Sequence, residues 1–405
     1  MRPANPANAS VEPHTLGSDA AVAMGERAAL QSIAVISTVH DTYDTRIFYK
    51  QIASLRRHYR VHYLSPCAGP PPEDWIVPLH HSRSKLGRLK THLSLLARLP
   101  RIKADLYLLH DPELLPLGIM LRCLGKRVVW DMHEDTYNDI KTKTYLAPLA
   151  RALLASTYRA VQWLGYRVLN GFILAEDKYA DYFPAPRRTC VVHNYPLLDR
   201  LESQRGAPQQ RDTIVYIGSI STNRGVYQLL DIVERLAKRI PEVRLVLIGP
   251  FTDEALEASV RRQVLERGLQ DNVDIRGRIK NVEAYPLIAQ CRVGVALLLP
   301  EPNFAKSLPT KMFEYMALGL PVVVSDFPLW KEIVERHDAG AAVDPLDVQA
   351  AADAIHVMLS EPSRYERLSA NACAAARLYS WETESRTLLD FLGRILARRS
   401  IQSAA

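Results

Sequence analysis

A chain of 405 residues, 48% hydrophobic and 23% charged, is long enough for about two or three cored domains. That composition excludes wholesale disorder, collagen and coiled-coil rods. The net charge of +7 is lopsided: residues 32–205 carry 25 Lys and Arg against 16 Asp and Glu, whereas residues 206–405 carry 24 against 25.

The excess points the first half at an anionic partner. Five cysteines (Cys67, Cys123, Cys190, Cys291, Cys373) stand singly. Their odd number and wide spacing fit reduced thiols and exclude a Cys-rich zinc site or a disulfide scaffold. Residues 1–31 are polar, with no apolar core region, and read as a disordered tail and not a signal peptide. No run approaches the ~20 apolar residues of a membrane span, so the expected location is the cytoplasm.

From Ser32 onward, β-branched runs alternate with helical patterns. Strands are predicted at Ser32–Val39, Arg60–Ser65, Leu106–His110, Arg127–Met132, Gly171–Ala175 and Thr189–His193. Helices fall between them at Thr45–Arg57, Lys85–Leu99, Glu113–Cys123 and Ala150–Leu169. The polar stretch Gln204–Asp212 reads as a linker. The alternation then restarts with strands at Thr213–Gly218, Val243–Gly249, Val273–Arg276, Val293–Leu299 and Pro321–Ser325. Helices are predicted at Val226–Arg239, Glu254–Arg267 and Thr310–Leu318. This pattern is α/β: two Rossmann-like parallel-sheet domains, residues 32–205 and 206–378, facing a central cleft. Residues 379–405 are expected to form a helix crossing back to the first domain.

The turn after the first strand, His40-Asp41-Thr42-Tyr43-Asp44, has no glycine, and no Gly-Lys-Ser/Thr follows any strand. The dinucleotide fingerprint and the P-loop are therefore both absent. Gly218-Ser219-Ile220-Ser221-Thr222-Asn223-Arg224-Gly225 opens directly onto a helix. Its backbone N–H groups and Arg224 suit a phosphate, though a solvated loop fits the same residues. In Ser307–Pro321, Ser307 suits an N-cap, Pro309 the first turn and Gly319 the C-terminal stop. Lys311 and Glu314 are three apart and so neighbours on one face. A lysine followed by a carboxylate fits a phosphate followed by the diol of a ribose; the alternative is a surface ion pair of little worth.

Pro309, Lys311, Glu314, Tyr315, Met316, Ala317, Gly319 and Pro321 resemble the donor-site segment of GT-B glycosyltransferases. The similarity is to the family-4-like group that builds bacterial surface polysaccharides. Gly218–Gly225 resembles that group's diphosphate loop. His110–Leu115, Asp131–Glu134, and His40 with Asp44, Arg46 and Ile47 resemble its N-terminal domain. The resemblance covers roughly residues 32–395.

It implies transfer of a hexose from a nucleoside diphosphate sugar, UDP favoured over GDP, with retention and without metal or other cofactor. Glu314 would hold the ribose, Arg224 and Lys311 the diphosphate, and Gly277 to Ile279 the base edge. Gly218, Ser219, Gly225 and Pro309 would line the donor site, and His133 would touch the donor sugar. His40, Asp41, Asp44 and His110 would line the acceptor site. In an inverting reaction, His40, Asp41 or Asp44 would instead supply a base. The chain departs from the group's pattern eight residues before Glu314, where Lys306 replaces a glutamate; Asn303 and Lys306 stand in for it. A sugar-nucleotide 2-epimerase of the same fold and a non-catalytic scaffold are the alternative functions.

The acceptor side has its own signal. Between His80 and Lys103 stand seven basic residues (Arg83, Lys85, Arg88, Lys90, Arg98, Arg101, Lys103), no acid, and leucines at helical spacing: Leu86, Leu89, Leu93, Leu96 and Leu99. A second acid-free span, Ile140–Ala175, carries Lys141, Lys143, Arg151, Arg159 and Arg167 with Trp163 and Tyr166. Basic amphipathic helices suit the anionic inner face of a cell membrane, or are ordinary helices whose leucines face the core. The expected partners are a sugar nucleotide, a lipid-diphosphate-linked saccharide and an anionic membrane surface. Nucleic acid is not expected, because no recognition motif accompanies the charge.

Overall fold

The structure, a computed structural model, describes residues 30–71, 73–81, 85–143, 147–183, 188–206 and 212–397. Most of the expected tail and part of the expected linker lie outside them. The first sheet comprises β1 (Ser32–Ile36), β2 (Arg60–Cys67), β3 (Ile76–His80), β4 (Leu106–Leu109), β5 (Val128–Met132), β6 (Gly171–Leu174) and β7 (Thr189–Val191). It is parallel throughout, in the order β3-β2-β1-β4-β5-β6-β7. The second sheet comprises β8 (Thr213–Ile217), β9 (Arg244–Ile248), β10 (Val273–Gly277), β11 (Val293–Ala296), β12 (Val322–Ser325) and β13 (Gly340–Val343). Its order is β10-β9-β8-β11-β12-β13, again parallel.

The central strands are continuous apolar runs because helices cover both faces of each sheet. All five residues of β1 and of β8 are buried. Each chain path reverses beside its first strand, between β1 and β4 and between β8 and β11. At such a switch point the connecting loops diverge and leave a crevice at the carboxyl ends of the strands. Ile36 is in register with Leu109, which brings the His40 loop and the His110–Asp111 loop to one edge.

Two edge strands, β3 and β13, were not anticipated from the sequence. Ile76–His80 contains Pro78, and Gly340–Val343 is short and half-buried, so neither has the apolar run of a central strand. The stretch after β1 also differs. Strand geometry ends at Ile36, and a π-helix spans Thr45–Ile52, with the Asp44 side chain accepting from the N–H groups of Arg46 and Ile47.

The two domains exchange segments. Tyr195, Leu198 and Leu201, placed by the sequence reading in the first domain, pack into the core of the second with Met312, Phe313 and Met316. The last helix, Trp381–Ala397, packs Trp381, Leu388, Phe391, Leu392 and Ile395 into the core of the first, against β7 and the π-helix. The indole N–H of Trp381 donates to Ser54 Oγ at 2.9 Å. No described helix is long and apolar enough to cross a membrane.

Candidate functional site

On the second domain, β8 runs into Gly218 and Ser219, then a 3₁₀ turn at Thr222–Arg224, then the helix Val226–Ala237. Gly225 sits at φ 77°, and a Cβ there would lie 2.1 Å from the Leu297 carbonyl oxygen, so only glycine lets this turn reach the β11 loop. Gly218 is also left-handed, at φ 130°; a Cβ on it would lie 3.0 Å from Lys311 Nζ and 3.7 Å from an Arg224 nitrogen. The two cations therefore converge on one patch of bare backbone.

Lys311 lies in the first turn of the helix Thr310–Ala317. Its ammonium is out of solvent contact, has no hydrogen-bond partner among the described residues, and rests 3.7 Å above the Tyr216 ring. Burial and then the nearby Arg224 hold it well below the usual lysine range. A buried cation next to a second cation is unfavourable unless an anion joins them. Glu314 makes no ion pair with Lys311 among the described residues, and neither is exposed, so the surface-pair alternative does not describe them. Glu314 is buried, and its Oε1 accepts from the Tyr285 hydroxyl at 2.9 Å. Burial raises its carboxyl above the ordinary value, against the lowering effects of Tyr285, Lys50 and Lys311.

Gly277 ends β10 at the same sheet edge as Gly218, and Ile279 packs half-buried on the domain core. Ser219 offers its carbonyl to the Tyr216 hydroxyl. Pro309 is the cap position and not the first turn, which begins at Thr310, and Ser307 Oγ bonds the Phe304 carbonyl instead of capping. Lys306 is exposed, and the side chain of Asn303 lies outside the described part of the structure.

The facing wall belongs to the first domain. Asp131, at the end of β5, is fully buried and is gripped by Arg46, whose Nη2 donates at 2.9 Å, and by Gln51. Burial opposes ionisation there, but Arg46 and the neighbouring imidazoles outweigh it and hold the carboxyl well below its usual range. His133 Nε2 lies 3.3 Å from the same carboxylate and 2.9 Å from His110 Nδ1. His110 is buried behind His133, with its proton affinity depressed by burial, and does not line the cleft as expected.

His40 does face the cleft, its ring stacked on His133 at 5.3 Å and its Nε2 3.4 Å from the buried Asp111. Asp44 faces the cleft beside it, whereas Asp41 is exposed and not part of the wall. A cavity of about 300 Å³ opens here, between His40, Asp44, His133 and Glu176 of the first domain and Leu308, Thr310 and Phe313 of the second. His110, Asp131 and His133 present possible metal-ligand atoms within 4.8 Å of one another, but Arg46 already neutralises the carboxylate.

Sequence reasoning missed Tyr285, Gln51, Lys50 and the Arg46–Asp131 pair as working parts. The available signal was charge inside an apolar frame: Arg46 and Lys50 flank Ile47 and precede Ile52, spacing that turns both inward.

Residues 199–374 match the family model "Glycosyl transferases group 1". A curated relative, GDP-mannose:cellobiosyl-diphosphopolyprenol alpha-mannosyltransferase of Xanthomonas oryzae pv. oryzae, is 27% identical over 260 residues. That alignment covers 64% of this chain and 65% of the relative's own length. Among solved structures, the sucrose-phosphate synthase of Thermosynechococcus elongatus superposes with a TM-score of 0.67 at 18% identity. It covers 91% of this chain and 100% of its own. Anabaena HepE in complex with UDP and glucose gives 0.66 at 16% identity, covering 90% and 100%. The fold is that of these GT-B proteins.

Proposed function

From a GT-B fold whose residues 199–374 match the group 1 glycosyl transferase model, we propose that this protein is a glycosyltransferase. It moves a hexose from a nucleoside diphosphate sugar to a saccharide on a lipid diphosphate, in surface polysaccharide synthesis. One observation carries the reading: two cations, Lys311 and Arg224, converge on bare glycine backbone at a sheet switch point, and the buried one has no hydrogen-bond partner among the described residues. That is a site built for a diphosphate. UDP is favoured over GDP as the donor base; a nucleotide donor is supported by one relative named for GDP-mannose and one structural neighbour in complex with UDP.

Departure of the donor sugar builds negative charge on the diphosphate, which Lys311 and Arg224 stabilise from fixed positions. These cations stand where a divalent ion would otherwise act, so the reaction runs without metal. Glu314 accepts from the ribose hydroxyls, and His133 reaches the sugar from the facing wall. The acceptor hydroxyl enters past His40 and Asp44. The acceptor oxygen bonds to the anomeric carbon on the face from which the diphosphate departs and passes its proton to that leaving phosphate, so the transferred sugar keeps its configuration.

Glu314→Gln tests the ribose assignment. It keeps size and loses charge, so ribonucleotide affinity falls by about 1–3 kcal/mol. A 2′,3′-dideoxy analogue binds both proteins alike, because the lost partners are the missing hydroxyls. Calorimetry with both ligands closes the cycle; equal weakening of the two would remove Glu314 from the ribose.

The acceptor proposal adds a membrane surface. On the helix Lys85–Arg98 the leucines divide: Leu95 is buried, whereas Leu89 and Leu93 are 60% and 57% exposed, beside exposed Arg88 and Lys90. Arg83 lies outside the described residues. On the helix Pro148–Val168, Leu149 is 83% and Trp163 57% exposed, and the Arg167 guanidinium lies 4.5 Å over the Trp163 ring. Apolar side chains among exposed basic ones, of which Arg88 lies 3.9 Å from Glu113, fit the headgroup region of an anionic bilayer. Anionic vesicles are expected to bind the protein, less as salt rises, and Arg88→Glu with Lys90→Glu to weaken binding without unfolding. Equal sedimentation with neutral and anionic vesicles would remove the idea.

A further inference from the structure

The loop between β1 and the π-helix meets the loop after β4 at the switch point of the first sheet. Asp111, only 1% exposed, joins the two. Its Oδ2 accepts from the N–H groups of Thr38 and Val39 and from the Ser37 hydroxyl. Its Oδ1 lies 3.4 Å from Nε2 of His40. One oxygen thus fixes the loop, and the other faces the ring that the loop carries.

Asp44 is divided in the same way. Its Oδ1 caps the π-helix, accepting from the N–H groups of Arg46 and Ile47 at 2.8 and 2.9 Å. Its Oδ2 stands 3.7 Å from Nδ1 of His40, too far for a hydrogen bond between them. Both side chains are half-buried and line the cleft.

A carboxylate only accepts, and the partner of one imidazole nitrogen decides which nitrogen carries the proton. Asp111 is the nearer carboxylate and the buried one, so in the neutral ring the proton belongs on Nε2. Nδ1 then faces the cleft bare, beside an aspartate oxygen that also accepts. Two fixed acceptors this close call for a ligand with two adjoining donors. Hydroxyls on neighbouring carbons of a sugar ring reach both.

We propose that Asp111 is a positioning residue of the acceptor site: by holding the Nε2 proton of His40, it leaves Nδ1 and the Asp44 carboxylate to receive two neighbouring hydroxyls of the acceptor saccharide. The inference rests on the reading of His40 and Asp44 as the acceptor wall, and makes that wall selective for a vicinal diol.

Two isosteric variants separate the parts. In Asp111→Asn the loop N–H groups still need an oxygen, so the new amide nitrogen takes the place of Oδ1 and donates to His40 Nε2. The ring proton then moves to Nδ1. In Asp44→Asn the π-helix N–H groups keep the carbonyl oxygen, so the amide nitrogen faces Nδ1. There the His40 tautomer stays, but the second acceptor is gone.

Nitrogen NMR of the imidazoles in the full chain reads the tautomer at about pH 8.5, above the ordinary imidazole range. His40 is assigned by the loss of its signals in His40→Gln. The probe sugar is methyl α-mannopyranoside, which has a cis and a trans pair of neighbouring ring hydroxyls; its 3-deoxy analogue has neither. Wild-type His40 should be protonated on Nε2 alone, and its Nδ1 signal should move with the mannoside at an affinity roughly two- to tenfold above that for the analogue. Asp111→Asn should carry the proton on Nδ1, Asp44→Asn should keep it on Nε2, and both should bring the two sugars level. A wild-type His40 with a proton on Nδ1, or an Asp111→Asn ring still protonated on Nε2, overturns the role of Asp111. If Asp111→Asn folds poorly, the wild-type tautomer and the sugar response of Asp44→Asn carry the decision. Equal response of wild-type His40 to both sugars overturns the diol and leaves the acceptor wall standing. No response to either sugar overturns the acceptor wall and this inference with it.

Discussion

Asp131→Asn is expected to destabilise the protein by about 3–5 kcal/mol at neutral pH, the cost of leaving a buried charge without its partner. The asparagine matches the aspartate in shape, but Arg46, only 4% exposed, then has no anion for its guanidinium. The pH dependence carries a sign. The folded Asp131 carboxyl is held well below its ordinary value, so its stabilisation is present above the unfolded pKa of about 3.9 and is lost as pH falls through the folded value. The gap between wild type and variant should therefore close in acid. Replacing both partners, as Arg46→Met with Asp131→Leu, should recover most of the loss, because a buried pair is often no better than apolar residues of similar volume. Urea midpoints at unchanged slope measure all three proteins. A neutral-pH loss below about 1 kcal/mol would mean that Asp131 does not answer Arg46.

Lys311→Met should move stability and activity in opposite directions. In the unliganded protein the lysine is a buried cation facing another cation, so methionine removes a desolvation cost and raises the melting temperature. The gain should shrink as pH climbs toward the unfolded lysine value of about 10.4, because the native state has already given up the proton. Turnover should fall by about one to two decades, from the loss of about 1.5–3 kcal/mol of charge-assisted contact to the leaving group. Arg224→Ala should lower turnover comparably with no gain in stability, since Arg224 is half-exposed. A Lys311→Met protein that is less stable than wild type, or near wild type in turnover, would place the diphosphate elsewhere.

These two sites differ in how far they were legible. Lys311 and Glu314 announce themselves by local spacing, three apart after a proline and before Gly319. Their burial does not appear in that spacing: the same residues fit a solvated ion pair, and only the packing of Tyr216 and Tyr285 around them decides otherwise. The Arg46–Asp131 pair joins residues 85 apart in the chain, and the contact of Trp381 with Ser54 spans 327.

The sequence by itself determined the two parallel sheets, because a strand covered on both faces must be apolar throughout, and that demand is written in each short run of residues. It determined the loop Gly218–Gly225 for the same local reason, glycines and an arginine ahead of a helix. Which charges are buried, that His110 stands behind His133, where β3 and β13 close the sheets, and which domain holds Tyr195 or Trp381 were decided only in the tertiary structure. Burial and electrostatic partnership depend on what packs against a residue from elsewhere in the chain, and no window of neighbouring residues contains that.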